Sequence, residues 1–132
     1  MNMMKTSLTM MLSLLLCACI EPEKNGADEK QVTVEIHYGE AQSSRMVTAP
    51  LIEGQTVLAL LETVADVETY TVEPYILVTS IDGVKGVHGK MAWYYKIDGI
   101  YADQLASTKT LEDEVHIEWL YQTDTCSDSI YK

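Results

Sequence analysis

Alternation of apolar and polar positions marks the folded part of this chain more clearly than any motif. Val32, Val34, Ile36 and Tyr38 alternate with Thr33, Glu35 and His37, the period-two pattern of a strand buried on one side. A loop through Gly39 and Ser44 follows. Residues 45–49 read as a second strand paired back on the first, and Pro50 stops it because proline cannot donate to a ladder. After a turn at Glu53, Gly54 and Gln55 the period changes. Val57, Leu60, Leu61 and Val64 share one helical face, with Glu62, Thr63 and Asp66 on or near the other side. Thr56 supplies an N-cap hydroxyl for the first unpaired amides, and the periodic span predicts a helix of about three turns.

Strand character returns at residues 67–72, rich in β-branched side chains and carrying Tyr70, until Pro74 breaks the run. Residues 75–81 read as a strand that ends on Asp82-Gly83, a two-residue turn signal. Residues 84–90, with Gly86, His88 and Gly89, are predicted as a loop. Residues 91–97 form an aromatic strand, and Asp98-Gly99 turns it into a short return over residues 100–102. After a mostly polar connection, Val115, Ile117, Trp119 and Tyr121 alternate with His116, Glu118, Leu120 and Gln122 in a last strand. The order predicts an α+β domain: a small β-grasp-like sheet with one helix packed across it, the first and last strands being central neighbours.

The ends read differently. Lys5 precedes a stretch over residues 8–16 that is apolar apart from Thr9 and Ser13. It is too short for a permanent bilayer span and fits the apolar part of a signal peptide. Leu16-Cys17-Ala18-Cys19 resembles the bacterial lipobox, with Ala18 as the small residue before the lipidated cysteine. Cys17 stands where a small residue is usual. The expected organisation is a lipoprotein signal peptide over residues 1–18, lipidation at Cys19, a flexible polar tether over 19–30, the domain over 31–123 and a polar tail over 124–132. It places the domain in a bacterial cell envelope, lipid-anchored on the extracytoplasmic side.

Charge and cysteine content narrow the partners. A net charge of −11 repels phosphates, which disfavours nucleic acid and anionic lipid surfaces as partners, and anchoring falls to the lipid chains. With Cys17 removed and Cys19 acylated, Cys126 is the remaining thiol. The domain then has neither a disulfide nor a cysteine-based zinc site. The chain contains no nucleophile elbow, no His-Glu-x-x-His and no phosphate-binding glycine loop. A non-catalytic protein is expected.

The candidate chemistry is aromatic. In Trp93-Tyr94-Tyr95 neighbouring side chains face opposite ways, so Trp93 and Tyr95 share one face and Tyr94 takes the other. At least one face then presents aromatic surface to solvent, a ligand or a partner. The chain has no Phe, so Tyr and Trp must also fill aromatic core positions. His88, beside Gly89, could offer an imidazole to a metal. His37, His116, Glu35 and Glu118 fall on the non-core sides of the first and last strands. If those strands pair, the four meet as a polar exposed face with the composition of a divalent-metal site; no metal site is assigned on that basis.

Three patches carry a resemblance. Thr56-Val57-Leu58-Ala59-Leu60-Leu61, Tyr75 with Val78-Thr79-Ser80-Ile81-Asp82-Gly83, and Trp93-Tyr94-Tyr95-Lys96-Ile97-Asp98-Gly99-Ile100-Tyr101-Ala102 occur in the order found in the transcobalamin C-terminal-like domain. The resemblance covers residues 31–121. That family is similar in fold to the small β-domain of the cobalamin carriers intrinsic factor and transcobalamin, which closes over one face of a corrinoid. The resemblance implies a ligand-binding role for Tyr75, Asp82, His88, Trp93, Tyr95 and Tyr101, with cobalamin as the ligand and no other cofactor. The helical domain that holds the other corrinoid face in those carriers has no counterpart in these residues, and Glu112-Asp113-Glu114 replaces the glycine usual before the last strand. The contrasting expectation is an extracytoplasmic protein-protein interaction or adhesion module with no small-molecule ligand, meeting its partner at a sheet edge or the aromatic patch.

Overall fold

The computed structural model describes residues 29–125. The expected signal peptide, Cys19 and its lipidation, the tether up to residue 28, Cys126 and the remainder of the tail lie outside the described residues.

The described chain is α+β. Its elements are β1 (Gln31–His37), β2 (Arg45–Pro50), α1 (Val57–Val64), β3 (Val67–Val72), β4 (Tyr75–Ile81), β5 (Val84–Lys85), β6 (Met91–Ile97), β7 (Ile100–Tyr101) and β8 (His116–Thr123). β1 and β8 are central neighbours, as their alternation suggested. They pair in parallel, with Val34 opposite Ile117 and Ile36 opposite Trp119. Antiparallel β2 and β6 flank them, giving the order β2-β1-β8-β6-β7. Among the described residues no helix is long and apolar enough to cross a membrane.

The expectation of one sheet needs correction. β3, β4 and β5 form a second, three-stranded sheet. Alternation gives a strand its faces but not its neighbours. Here β4 takes both from its own chain, β3 across the turn at Glu73 and Pro74 and β5 across Asp82-Gly83. The segment after β5 is also more ordered than a plain loop. Val87 bridges to Met91, and the Gly86 amide bonds the Thr79 carbonyl at 2.8 Å.

Both Asp-Gly turns have positive φ at each residue, 51° and 82° at Asp82 and Gly83, 50° and 81° at Asp98 and Gly99. That is the backbone of a type I′ hairpin, whose twist matches the strands it joins. Each aspartate then ties its turn to a distant segment. Asp82 donates its amide to the Asp66 carbonyl and accepts the Asp66 amide at Oδ1, at 2.7 and 2.9 Å. Asp98 repeats the exchange with His116, at 2.8 and 2.9 Å.

The helix is eight residues long, shorter than its periodic span suggested, because Ala65 is already extended at φ −144°, ψ 161°. Its start is fully satisfied. Thr56 caps the Ala59 amide at 3.1 Å, while the Val57 and Leu58 amides bond the Lys109 and Ala106 carbonyls at 2.8 and 2.9 Å. The first amides of a helix have no partner within it; here the segment before β8 supplies two, and is docked in place by doing so. Val57, Leu58, Leu60 and Leu61 pack against Val32, Val34, Ile36, Ile117 and Trp119 of the large sheet. Burial of such side chains contributes about 1.5–3 kcal/mol each.

Candidate functional site

An apolar cleft of about 770 Å³ opens between the β3–β4 hairpin and the β6–β7 side of the large sheet. One wall carries Tyr70, Val72, Ile76 and Leu77. The other carries Trp93, Tyr95, Tyr101 and Trp119, with the segment 102–106 at one end and His88 on the rim segment.

The aromatic strand builds most of this by its alternation. Trp93 and Tyr95 share the inner face, 8% and 7% exposed, and Tyr94 points to the other side. Tyr95 lies against Trp119 with ring centres 5.0 Å apart, and Trp93 against Tyr121 at 5.2 Å. The rings are tilted by 31° and 43°, and aromatic pairs at such distances add about 0.5–1.5 kcal/mol beyond the area they bury. Polar ends fix the rings. The Trp93 indole donates to the Val84 carbonyl at 2.8 Å and the Tyr95 hydroxyl to the Gln104 carbonyl at 2.7 Å. Burial, with the nearby charge of Asp103, pushes the Tyr95 phenol up to about 12, so it stays a neutral donor. Trp119 is 2% exposed, and its indole nitrogen has no hydrogen-bond partner. An unpaired buried donor costs about 1–3 kcal/mol.

His88 belongs to a segment held by Asp124. The Asp124 carboxylate accepts the Gly89 amide at 3.0 Å, and its own amide bonds the Lys90 carbonyl, also at 3.0 Å. Asp124, assigned to the tail from its polar surroundings in sequence, is 7% exposed and works as a strut.

Of the residues the resemblance pointed to, His88, Trp93, Tyr95 and Tyr101 line the cleft. Tyr75 and Asp82 do not. Tyr75 lies at the exposed start of β4. Asp82 sits in a polar knot beneath the turn: its Oδ2 accepts the hydroxyl proton of buried Tyr38 and two bonds from Arg45, Nη2 at 2.7 Å and Nε at 3.1 Å. Burial alone would raise the Asp82 carboxyl. The bonds from Tyr38, the Asp66 amide and Arg45 outweigh it and hold the group below the usual carboxylate range.

The hairpin wall was not anticipated. Its signal is the run Tyr75-Ile76-Leu77-Val78, which reads as a strand buried on both faces. Instead Tyr75, Ile76 and Leu77 are exposed, as are Tyr70 and Val72 beside them.

A family model described as "Domain of unknown function (DUF4430)" matches residues 54–123. No curated protein matches the chain. A solved structure of a proposed metal-binding protein from Ruminococcus gnavus ATCC 29149 is similar at 16% identity and a TM-score of 0.58, over 73% of this chain and 99% of that one. Haptocorrin in complex with Cbi is similar at 12% identity and a TM-score of 0.59, over 70% of this chain and 25% of haptocorrin. The chain therefore corresponds to about a quarter of haptocorrin's length, and at these identities the likeness is one of fold.

Proposed function

The chain belongs to the DUF4430 family and has a transcobalamin-like domain fold, and from that premise we propose that it is a non-catalytic binding protein of the cell envelope, anchored by lipid at Cys19, whose cleft receives a flat ligand of the corrinoid class, a macrocycle with polar amide groups at its rim. The cleft carries this reading. Its volume lies within the range usual for ligand sites, and it is apolar with a few polar groups at its edge. The likeness to the haptocorrin segment, whose structure holds Cbi, supports the choice of corrinoid. The parallel pairing of β1 with β8 beneath one helix supports reading the core as β-grasp-like.

The chain's two tryptophans, Trp93 and Trp119, both line the cleft. Cobalamin or cobinamide entering it should quench their fluorescence in step with the heat measured by calorimetry and the shift in corrinoid absorbance. No heat and no quenching at high micromolar corrinoid would sink the carrier reading.

One observation favours a second reading. Tyr70, Val72, Tyr75, Ile76 and Leu77 are all exposed on one hairpin, and β3 forms an open edge of its sheet. Exposed apolar side chains beside an unpaired edge suit a protein partner. A stable complex without corrinoid, lost on Leu77→Lys, would establish an interaction module instead.

A further inference from the structure

We propose that the outer face of the large sheet, opposite the helix, binds one divalent transition-metal ion through His37, Glu35 and Glu118. The site is separate from the cleft and does not depend on the reading given to it.

Parallel register puts Glu35 of β1 directly beside Glu118 of β8, both side chains facing away from the core. Two carboxylates side by side repel unless a positive group lies between them. The nearby cations are engaged elsewhere. Lys96, across from Glu118 on β6, holds its ammonium 4.6 Å from the centre of the Tyr101 ring, and Arg45 is committed to Asp82. The side chain beside both carboxylates is the imidazole of His37. His37 Nε2 lies 3.0 Å from Glu35 Oε1 and 3.8 Å from Glu118 Oε2. One ligand atom from each of the three residues falls within 4.8 Å of the others.

The other ring nitrogen of His37 decides the chemistry. Nδ1 lies 3.1 Å from the Ser44 hydroxyl. With a proton on Nδ1 donated to that hydroxyl, Nε2 presents a lone pair to two carboxylate oxygens. Three acceptors then face one point, and a cation is what such a point accommodates. A second hydrogen bond that fixes ring and tautomer is the usual support of a metal-binding histidine. His116 adds a further brace, its Nε2 lying 2.9 Å from Glu35 Oε2, which turns Oε1 toward His37. His116 is itself placed by the Asp98 exchange.

Bond lengths of about 2.0–2.2 Å from a zinc-like ion to nitrogen and oxygen put neighbouring ligand atoms roughly 3.3–3.6 Å apart in a tetrahedral shell. Both His37 separations, 3.0 and 3.8 Å, lie within roughly 0.3 Å of that range, and the third pair, Glu35 with Glu118, lies within 4.8 Å. One imidazole and two carboxylates balance a double positive charge and suit Zn²⁺, Mn²⁺ or Fe²⁺ better than Ca²⁺ or Mg²⁺, which prefer all-oxygen shells. The side chains are 23–33% exposed, so water can complete the coordination.

The test is calorimetric titration of zinc chloride into the metal-stripped full chain without a histidine tag. One equivalent should bind. His37→Ala and Glu118→Gln should each weaken binding at least tenfold, with melting temperatures unchanged because both positions face away from the core. Ser44→Ala should weaken it about tenfold and Ser44→Thr restore it, since a hydroxyl and not mere bulk orients the ring. Absence of zinc binding at 1 mM, or undiminished binding in His37→Ala and Glu118→Gln, overturns the proposal. Tryptophan fluorescence should stay constant through the titration, which separates this site from the cleft.

Discussion

Asp82→Asn tests the reading of the polar knot beneath the first Asp-Gly turn. Asparagine keeps the size of the side chain and tolerates the positive φ of 51° at this position, so backbone strain does not enter. Its amide has a single oxygen. That oxygen can accept the Asp66 amide or serve Tyr38 and Arg45, but not both, and the negative charge is lost. Tyr38 is fully buried, so its hydroxyl is left without its acceptor, at a cost of about 1–3 kcal/mol. The Arg45 pair adds less than a buried ion pair would, because the Arg45 side chain is 36% exposed and solvent screens it. Together these predict a destabilisation of about 2–3 kcal/mol, or a fall in melting temperature of roughly 10–20 °C for a domain of this size.

The pH dependence follows from the depressed Asp82 carboxyl. A carboxylate whose native pKa lies below its unfolded value stabilises the fold at pH above about 3.9, and that contribution fades as pH falls through the native value. The gap between wild type and Asp82→Asn should therefore be full at pH 7 and shrink below about pH 4. Urea denaturation at a series of pH values reads both. A loss under 0.5 kcal/mol at pH 7, or a gap that widens on acidification, refutes the account of Asp82 as a structural anchor.

Two further changes probe the helix start and the cleft. Thr56→Ala removes the oxygen that caps the Ala59 amide and should cost about 1 kcal/mol in urea denaturation. Tyr101→Ala should leave stability within about 0.5 kcal/mol, since the ring is 52% exposed. If the cleft takes a corrinoid, the same change should weaken binding roughly five- to thirtyfold by calorimetry, about 1–2 kcal/mol of aromatic contact.

The strands, the N-cap and both Asp-Gly turns were legible because each is a local matter of period or backbone angle. The face assignment of Trp93, Tyr94 and Tyr95 followed from alternation alone. Partnership was harder to read. β4 pairs with β3 and β5 and not with the large sheet, and alternation carries no information about that choice. The polar knot around Asp82 was hidden for a related reason. Its sequence neighbourhood shows a turn, while its partners Tyr38, Arg45 and Asp66 lie up to 44 positions away. The cleft was half legible: the aromatic wall stands out as a motif, whereas the hairpin wall resembles a buried strand until its exposure is known. The cluster of His37, His116, Glu35 and Glu118 depended on one pairing, and the parallel register of β1 and β8 supplied it.

That register also sets when the domain can exist. Thr33 and His116 are partners, so the middle of the sheet joins segments 83 positions apart. Closing a loop of that length costs about 4 kcal/mol in chain entropy, and contacts of such long range slow folding. Until β8 has left the ribosome, β1 has an open edge on one side and no completed core beneath it. Each copy therefore stays unfinished until β8 has been made, and it acquires its stability only when that strand joins β1.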